Sequence, residues 1–580
     1  MVETERFDIV IIGGGPNGVT AAAYLSKCGL RVCLLEERYE AGGSCESVEP
    51  IAGMRIYPHA QLMYAAPAPG FEQLELHKYG FRMSWSPIDL EKSMGKLGQT
   101  TSQGLVPATP TDMMGFAKMS GLLGSPPFMT ELMRATFWCP PHPPEVEVTD
   151  ETVPYMQVYK QHQPDLWTPE LREMTMFDFM DQHMETESLK TMLAFAAWGS
   201  GAAGHWEGVA VPALLAVVLL LMPGHLSHPR GGLHGYFHAI LRCAIDHGTI
   251  VRACCPVDEI IVSNGRAVGV RLRDNAAVAE KTIWADKAVI AACEVKQAFQ
   301  KLIGPKHLSR SFLQKIDDIN IKGGSLYTST LVTRKPIRWH EKFKEQEAVA
   351  MGPNKSPFGT VYPSDSRELY MENVADVDSY KGNPTLPPEK LMWLLTPSQA
   401  FDPSNCQHHH PKGYYVSAPF MQGFTPPEYH VEGPEALDKI KDKLSAYVRQ
   451  AYSQALDGVD DDNVIFHWAS TPLEMELRNT GLIGGTWCGR RHCEDQLWTN
   501  SPIAGSGMAR YRTPIDGLYL CHQTSGHPGG LCLMAIPYNL MHILIEDGIA
   551  EPGDWWYPSP WYIPERGKIS AVPREGKVAR

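Results

Sequence analysis

The clearest pattern of apolar and polar positions lies at the start of the chain. Ile9 to Ile12 are an unbroken apolar run, which predicts a strand buried on both faces, as in a parallel sheet. Gly13-x-Gly15-x-x-Gly18 follows, with Pro16 and Asn17 in the turn, and then a helical stretch from Val19 to Lys27 that Cys28-Gly29 end. Arg31 to Leu35 (RVCLL) predict a second strand with Glu36 at its end. Further on, VRACCPVDEIIVSNGRAVGVRL alternates around Gly265 and reads as a hairpin. ADKAVIAACEV reads as another buried strand and Gly517 to Leu520 as a short one. The insertion 86–228 looks mostly helical, whereas 306–504 alternates short strands with a helix near Leu437 to Ala455. No solenoid-type repeat is visible.

The glycine turn carries the first chemistry. Gly13 makes the tight turn, Gly15 lets the backbone approach a pyrophosphate at the helix N-terminus, and Gly18 lets helix and strand pack closely. Glu36, 23 positions after Gly13, can accept hydrogen bonds from ribose hydroxyls. Glu37 is the alternative ribose ligand, or a solvent-facing neighbour. Strand, turn, helix and acid together predict a dinucleotide site. From Glu36 the chain reads E-x-R-x-x-x-G-G, with Arg38, Gly42 and Gly43, and Ser44 follows. A second glycine pair lets the chain run along an extended diphosphate and ribityl, which a nicotinamide cofactor does not require there.

That pattern resembles flavoproteins related to amine oxidases and phytoene desaturases. Further segments sharpen the likeness: PRGGLHGYFHAIL from Pro229, TPSQAFDPSNC at Thr396 to Cys406, STPLEMELR at Ser470 to Arg478, GGTWCGRRHCEDQL at Gly484 to Leu497 and YRTPIDGLYLCHQTSGHPGGLCLMAIPYN near the end. Together they resemble the phytoene desaturase-like family, in particular its pyridine nucleotide-disulfide oxidoreductase domain-like branch, over most of the chain. The resemblance implies an α/β fold: a Rossmann-type FAD-binding domain with a discontinuous mixed α+β substrate domain. The FAD-binding domain is expected from 1–85, 229–305 and 505–550, the substrate domain from 86–228 and 306–504, and an aromatic tail from 551–580. The resemblance also implies non-covalent FAD, a backbone contact from Val257 to adenine, and a flavin-facing helix start at His527, Gly529, Gly530 and Leu531. The chain departs from the family at Thr486, Gly489, Arg490 and Arg491 and in CHQTSGHPGG. Those changes suggest a pocket for a substrate smaller or more polar than a carotenoid.

Composition narrows the alternatives. The net charge of −13 and the lack of a basic run argue against a nucleic-acid partner. MVETERFD has none of the parts of a signal peptide, and the 13 Cys are irregularly spaced, which suits free thiols in a cytoplasmic protein. No metal site is expected. Cys488 and Cys493 form a poor zinc pattern, and His408, His409 and His410 read as a surface loop. The run VAVPALLAVVLLLM at Val209 to Met222 is 14 residues long, short of the roughly 20 that span a bilayer. It reads as a buried helix, or as one that lines an apolar tunnel or touches a membrane surface. The tail DWWYPSPWYIP is expected to pack on the protein or on the other protomer of a homodimer; the alternative is peripheral membrane contact.

The expected reaction is dehydrogenation of a CH–CH bond in an apolar or cyclic carbonyl substrate, with hydride passing to the flavin and oxygen or a quinone as final acceptor. Amine oxidation, redox-neutral double-bond isomerisation and a flavin-stabilised interaction protein without turnover are the alternatives. Tyr538 is the preferred proton-transfer residue, with His59 and Tyr57 as further candidates. Arg490, Arg491 and Trp487 are candidates for contact with substrate.

Overall fold

The computed structural model describes residues 5–59, 63–64, 68–85, 98–101, 104–107, 109–123, 126–143, 146–147, 149, 151–162, 164, 168–198, 204–205, 207, 210, 226–229, 231–321, 325–341, 367–378, 392–396, 413–453, 456–486, 489–491, 496, 510–525 and 534–564. The opening pattern folds as read, with the first strand and the helix starting earlier and the second strand one residue later. Strand β1 is Arg6–Ile12, helix α1 is Pro16–Lys27 and strand β2 is Val32–Leu35. Pro16 occupies the first helical turn, where its missing N–H costs nothing. Gly29 follows the C-cap Cys28 with φ +82°, a left-handed position that favours glycine.

Three distant parts of the chain build one sheet. Helix α2 (Gly232–Asp246) leads into β3 (Ile250–Arg252), the hairpin β4 (Val257–Ser263) and β5 (Arg266–Leu272), and the long strand β6 (Thr282–Ala291). The strand order is β3-β2-β1-β6-β5-β4, and β7 (Leu518–Leu520) also pairs with β6. β6 divides its edges by length. Its first half pairs antiparallel with β5 (Val270↔Ile283), and its second half pairs parallel with β7 (Val289↔Leu518). The hairpin turns through Asn264 (φ +50°) and Gly265 (φ +77°), the two left-handed residues that a tight two-residue turn requires.

The unbroken apolar character of β1 has a plain cause. Ile9 and Ile11 face the core shared with α1, α2 and helix α3 (Ala535–Glu546). Val10 and Ile12 face a second core, with Val295, Phe299 and Phe312. Both faces are covered, so neither set can be polar. A separate four-stranded antiparallel sheet has the order Met392–Thr396, Tyr415–Phe424, Ser325–Thr333, Val464–Ser470. The 86–228 insertion is largely helical among its described residues. Most of Val209 to Met222 and all of His408 to His410 lie outside the described residues. Among the described residues, no helix is long and apolar enough to cross a membrane.

The aromatic tail packs back on α1 and α3. Trp555 stacks on Tyr24 of α1 at 6.1 Å, and Trp556 meets the Tyr538 ring of α3 at 5.0 Å. His542 anchors the same segment. One ring nitrogen, Nδ1, donates to the Tyr538 carbonyl (2.9 Å), and Nε2 accepts from the Ser559 N–H (2.8 Å). That pairing needs a neutral ring, and burial pushes the His542 pKa down to about 3. Burial and the nearby Arg490 likewise lower His522 to about 4. As pH falls below the unfolded value of 6.5, the unfolded chain takes up both protons first. Stability is therefore expected to fall from pH 6.5 towards 4, by about 2.7 kcal/mol per pH unit for the pair. Urea unfolding at a series of pH values checks this. His542→Gln should halve the contribution of the pair, and an unchanged slope in that variant removes His542 from the account.

Candidate cofactor and active site

The two glycine segments face each other. Gly13 has φ +104°, and a Cβ there would lie 2.8 Å from the Ala292 carbonyl oxygen. A Cβ on Gly18 would collide with the Gly13 carbonyl oxygen. These two glycines are required by the fold itself. Gly15 differs. Its backbone is extended (φ −72°, ψ 177°), and the nearest atom to an added Cβ is the Gly43 Cα at 3.9 Å. Neither backbone nor packing demands glycine at that position, so the free space is a cradle for something else. Gly43 closes the other side: its φ is +52°, and its own Cβ would sit 3.0 Å from the Gly15 Cα.

The cradle has the electrostatics of an anion site. Helix α1 starts at Gly15 with no side-chain cap and no acidic residue in its first turn. Its first N–H groups and dipole are left for a ligand. Glu36 stands at the end of β2, buried, with one carboxylate oxygen accepting from the Gly14 N–H (2.8 Å) and the other from the Arg38 N–H (2.9 Å). Burial pushes the Glu36 carboxyl above its ordinary range, against the pull of those two N–H groups. Glu37 is exposed and pairs with Arg273 at 3.2 Å. Ser44 lies in the short turn Gly43–Cys45, Asn17 in the first turn of α1, and Val257 is buried at the start of β4. His527, Gly529, Gly530, Leu531 and Trp487 lie outside the described residues.

Glu46, which had no signature in the sequence, organises the next shell. It is buried, follows the second glycine pair closely, and meets Arg38, Arg478 (2.9 Å) and His59 Nε2 (2.8 Å). Burial alone would raise its carboxyl; the His59 hydrogen bond and the charges of Arg38 and Arg478 outweigh it and hold the pKa below the ordinary range. His59 is itself buried, and its second ring nitrogen, Nδ1, has no hydrogen-bond partner among the described residues. Arg478 comes from the short helix Pro472–Arg478, whose N-terminus carries a Thr471/Glu474 capping box. Asn479 follows it and reaches the Gly43 side of the cradle.

The other candidates are placed differently. The Tyr538 hydroxyl donates to the Tyr557 carbonyl at 3.1 Å, inside the α3–tail packing. Tyr57 donates to the Gly231 carbonyl at 2.6 Å, and its ring lies against Gly232. Arg490 is fully buried, with Nη1 on the Gln496 carbonyl (2.8 Å) and Nη2 on the Thr524 carbonyl. Its guanidinium ties two loops together. The Arg491 N–H donates to the Asn320 carbonyl at 2.8 Å.

The sheet, its uncapped helix and the two-sided glycine cradle define a Rossmann-type dinucleotide-binding fold. A family profile described as an NAD(P)-binding Rossmann-like domain matches residues 11–87. In sequence the chain is similar, over nearly its whole length, to proteins named as an oxidoreductase-domain protein and a dehydrogenase. It is 25% identical to the rat (Rattus norvegicus) pyridine nucleotide-disulfide oxidoreductase domain-containing protein 2, over 93% of this chain and 94% of that protein. It is 22% identical to a limonene dehydrogenase polypeptide of Castellaniella defragrans, over 98% and 99% respectively. Among solved structures, putrescine oxidase bound to putrescine shares the fold, with a TM-score of 0.56 at 14% identity, covering 94% of this chain and 100% of that one.

Proposed function

We propose that the chain holds FAD without a covalent link and dehydrogenates a CH–CH bond of an apolar or cyclic substrate. The observation that carries this is the meeting of Gly15 and Gly43, which leaves a cradle that no part of the protein needs. A second glycine pair against the first turn suits a long, extended dinucleotide. Bound FAD supplies a two-electron acceptor that takes hydride from carbon, to be reoxidised by oxygen or a quinone.

The chain's own residues account for the remaining proton. Making an alkene from a CH–CH unit releases one hydride and one proton. His59 is suited to take that proton at Nδ1, since Glu46 engages Nε2 and fixes the ring. Arg38 and Arg478 keep Glu46 ionised, so it stabilises the imidazolium formed. Limonene, named for one relative, is an apolar cyclic hydrocarbon and favours this reading. The putrescine oxidase fold favours amine oxidation as the second reading.

Two measurements test the proposal. Acid precipitation of the yellow protein should release FAD into the supernatant; flavin retained in the pellet refutes the non-covalent link. Anaerobic mixing with a panel of cyclic hydrocarbons, cyclic ketones and amines should bleach the flavin with the hydrocarbons or ketones. Bleaching by amines alone would establish the second reading instead.

A further inference from the structure

A second cluster adjoins the loop that carries Gly42 and Gly43. His234 and His238 stand one turn apart on α2, with ring centroids 4.0 Å apart. Glu40, from the loop after β2, faces them, and its Oε1 lies 3.4 Å from His234 Nε2. One ligand atom from each of the three lies within 4.8 Å of the others. The geometry points to a divalent-cation site of two imidazoles and one carboxylate, suited to Zn2+.

The support for one ligand is already in place. His234 is buried, and its Nδ1 lies 3.1 Å from the Cys45 carbonyl oxygen. Donation from Nδ1 to that carbonyl fixes the tautomer in which Nε2 presents a lone pair to an ion, the usual support for a metal-bound histidine. Nitrogen and oxygen ligands about 2.1 Å from zinc in a tetrahedron are roughly 3.4 Å apart. The cluster must therefore contract slightly. Glu40 and His238, which are only partly buried, are the two ligands that would move. The same partial exposure lets water complete the fourth position.

The donor set suits zinc better than calcium or magnesium, which prefer all-oxygen ligands. Arg55 and Arg242 act on His238 electrostatically and would oppose a cation. With one carboxylate in the set, the site is then expected to bind Zn2+ reversibly rather than as a permanent structural centre. An ion there joins the loop that carries the second glycine pair to α2, in addition to the His234–Cys45 hydrogen bond.

The test uses the full-length, cofactor-loaded protein and Zn2+ alone. Calorimetric titration should show one saturable equivalent per chain, and saturating Zn2+ should raise the thermal midpoint. Glu40→Gln and His238→Ala should each weaken binding by at least about 10-fold while leaving bound cofactor and its spectrum unchanged. The unchanged spectrum shows that both variants fold. No saturable zinc, or zinc bound equally well by both variants, overturns the site; the second result would place the ion elsewhere, for instance at His408 to His410.

Discussion

Gly15→Val is expected to give a folded protein that has lost its cofactor. The structure separates these two effects. At Gly15 the backbone is extended, and an added Cβ has only the Gly43 Cα near it, at 3.9 Å. The apoprotein can therefore accept a side chain there. A diphosphate drawn to the N-terminus of α1 cannot share that space with it. Overpacking of this kind costs about 3 kcal/mol, or at least roughly 100-fold in affinity. Gly18→Ala provides the contrast, because its Cβ collides with the Gly13 carbonyl oxygen and approaches the Ala292 Cβ at 3.1 Å. That variant should fail in folding, not only in binding. Far-UV circular dichroism and flavin absorbance of the purified proteins distinguish the two. Stoichiometric flavin in Gly15→Val would show that this turn does not contact the cofactor.

His59→Gln should retain flavin and slow its reduction by substrate by about 10²–10⁴-fold, the usual range for lost acid–base help. The fold should tolerate the change, because Glu46 keeps Arg38 and Arg478 as partners. Glu46→Gln tests positioning: it should move the pH profile of flavin reduction, since the neutral amide no longer favours the imidazolium. Tyr538→Phe should instead leave the rate nearly unchanged and cost about 1 kcal/mol of stability, because its hydroxyl is bonded to the Tyr557 carbonyl. Stopped-flow reduction of the three variants decides among them. Fast reduction in His59→Gln together with slow reduction in Tyr538→Phe would reverse the assignment.

The legible parts of the sequence were those whose information is local. The β1–α1–β2 opening, the Gly265 hairpin and β6 follow from apolar periodicity and turn chemistry over short windows. Spacing also marked Gly15 and Glu36, and the flavoprotein-like pattern marked Gly43. It could not distinguish glycines that the fold needs, such as Gly18, from the one that it leaves free. Tyr538 was singled out by its place beside a motif, yet its surroundings depend on Trp556 and Tyr557, which no local pattern connects to it. Arg490 reads in the sequence as a candidate substrate contact because its partners, the carbonyls of Gln496 and Thr524, are backbone atoms without a sequence signature. Glu46 was missed for a similar reason: Arg38, His59 and Arg478 converge on it only after folding.

The division of β6 between two partners also sets an order of assembly. Its first half can zip against the neighbouring hairpin strand within about 1–10 μs, once Val270 meets Ile283. Its second half must wait for Leu518, more than 200 residues later, to pair with Val289. During synthesis the ribosome adds about 5–20 residues per second, so that edge stays open for roughly 10 s or longer. An unpaired, wholly apolar strand edge is a template for association with other chains. Refolding at high protein concentration should therefore lose material to aggregates. A fragment that stops before β7 should be recovered mainly as insoluble protein, even though it carries the entire opening turn.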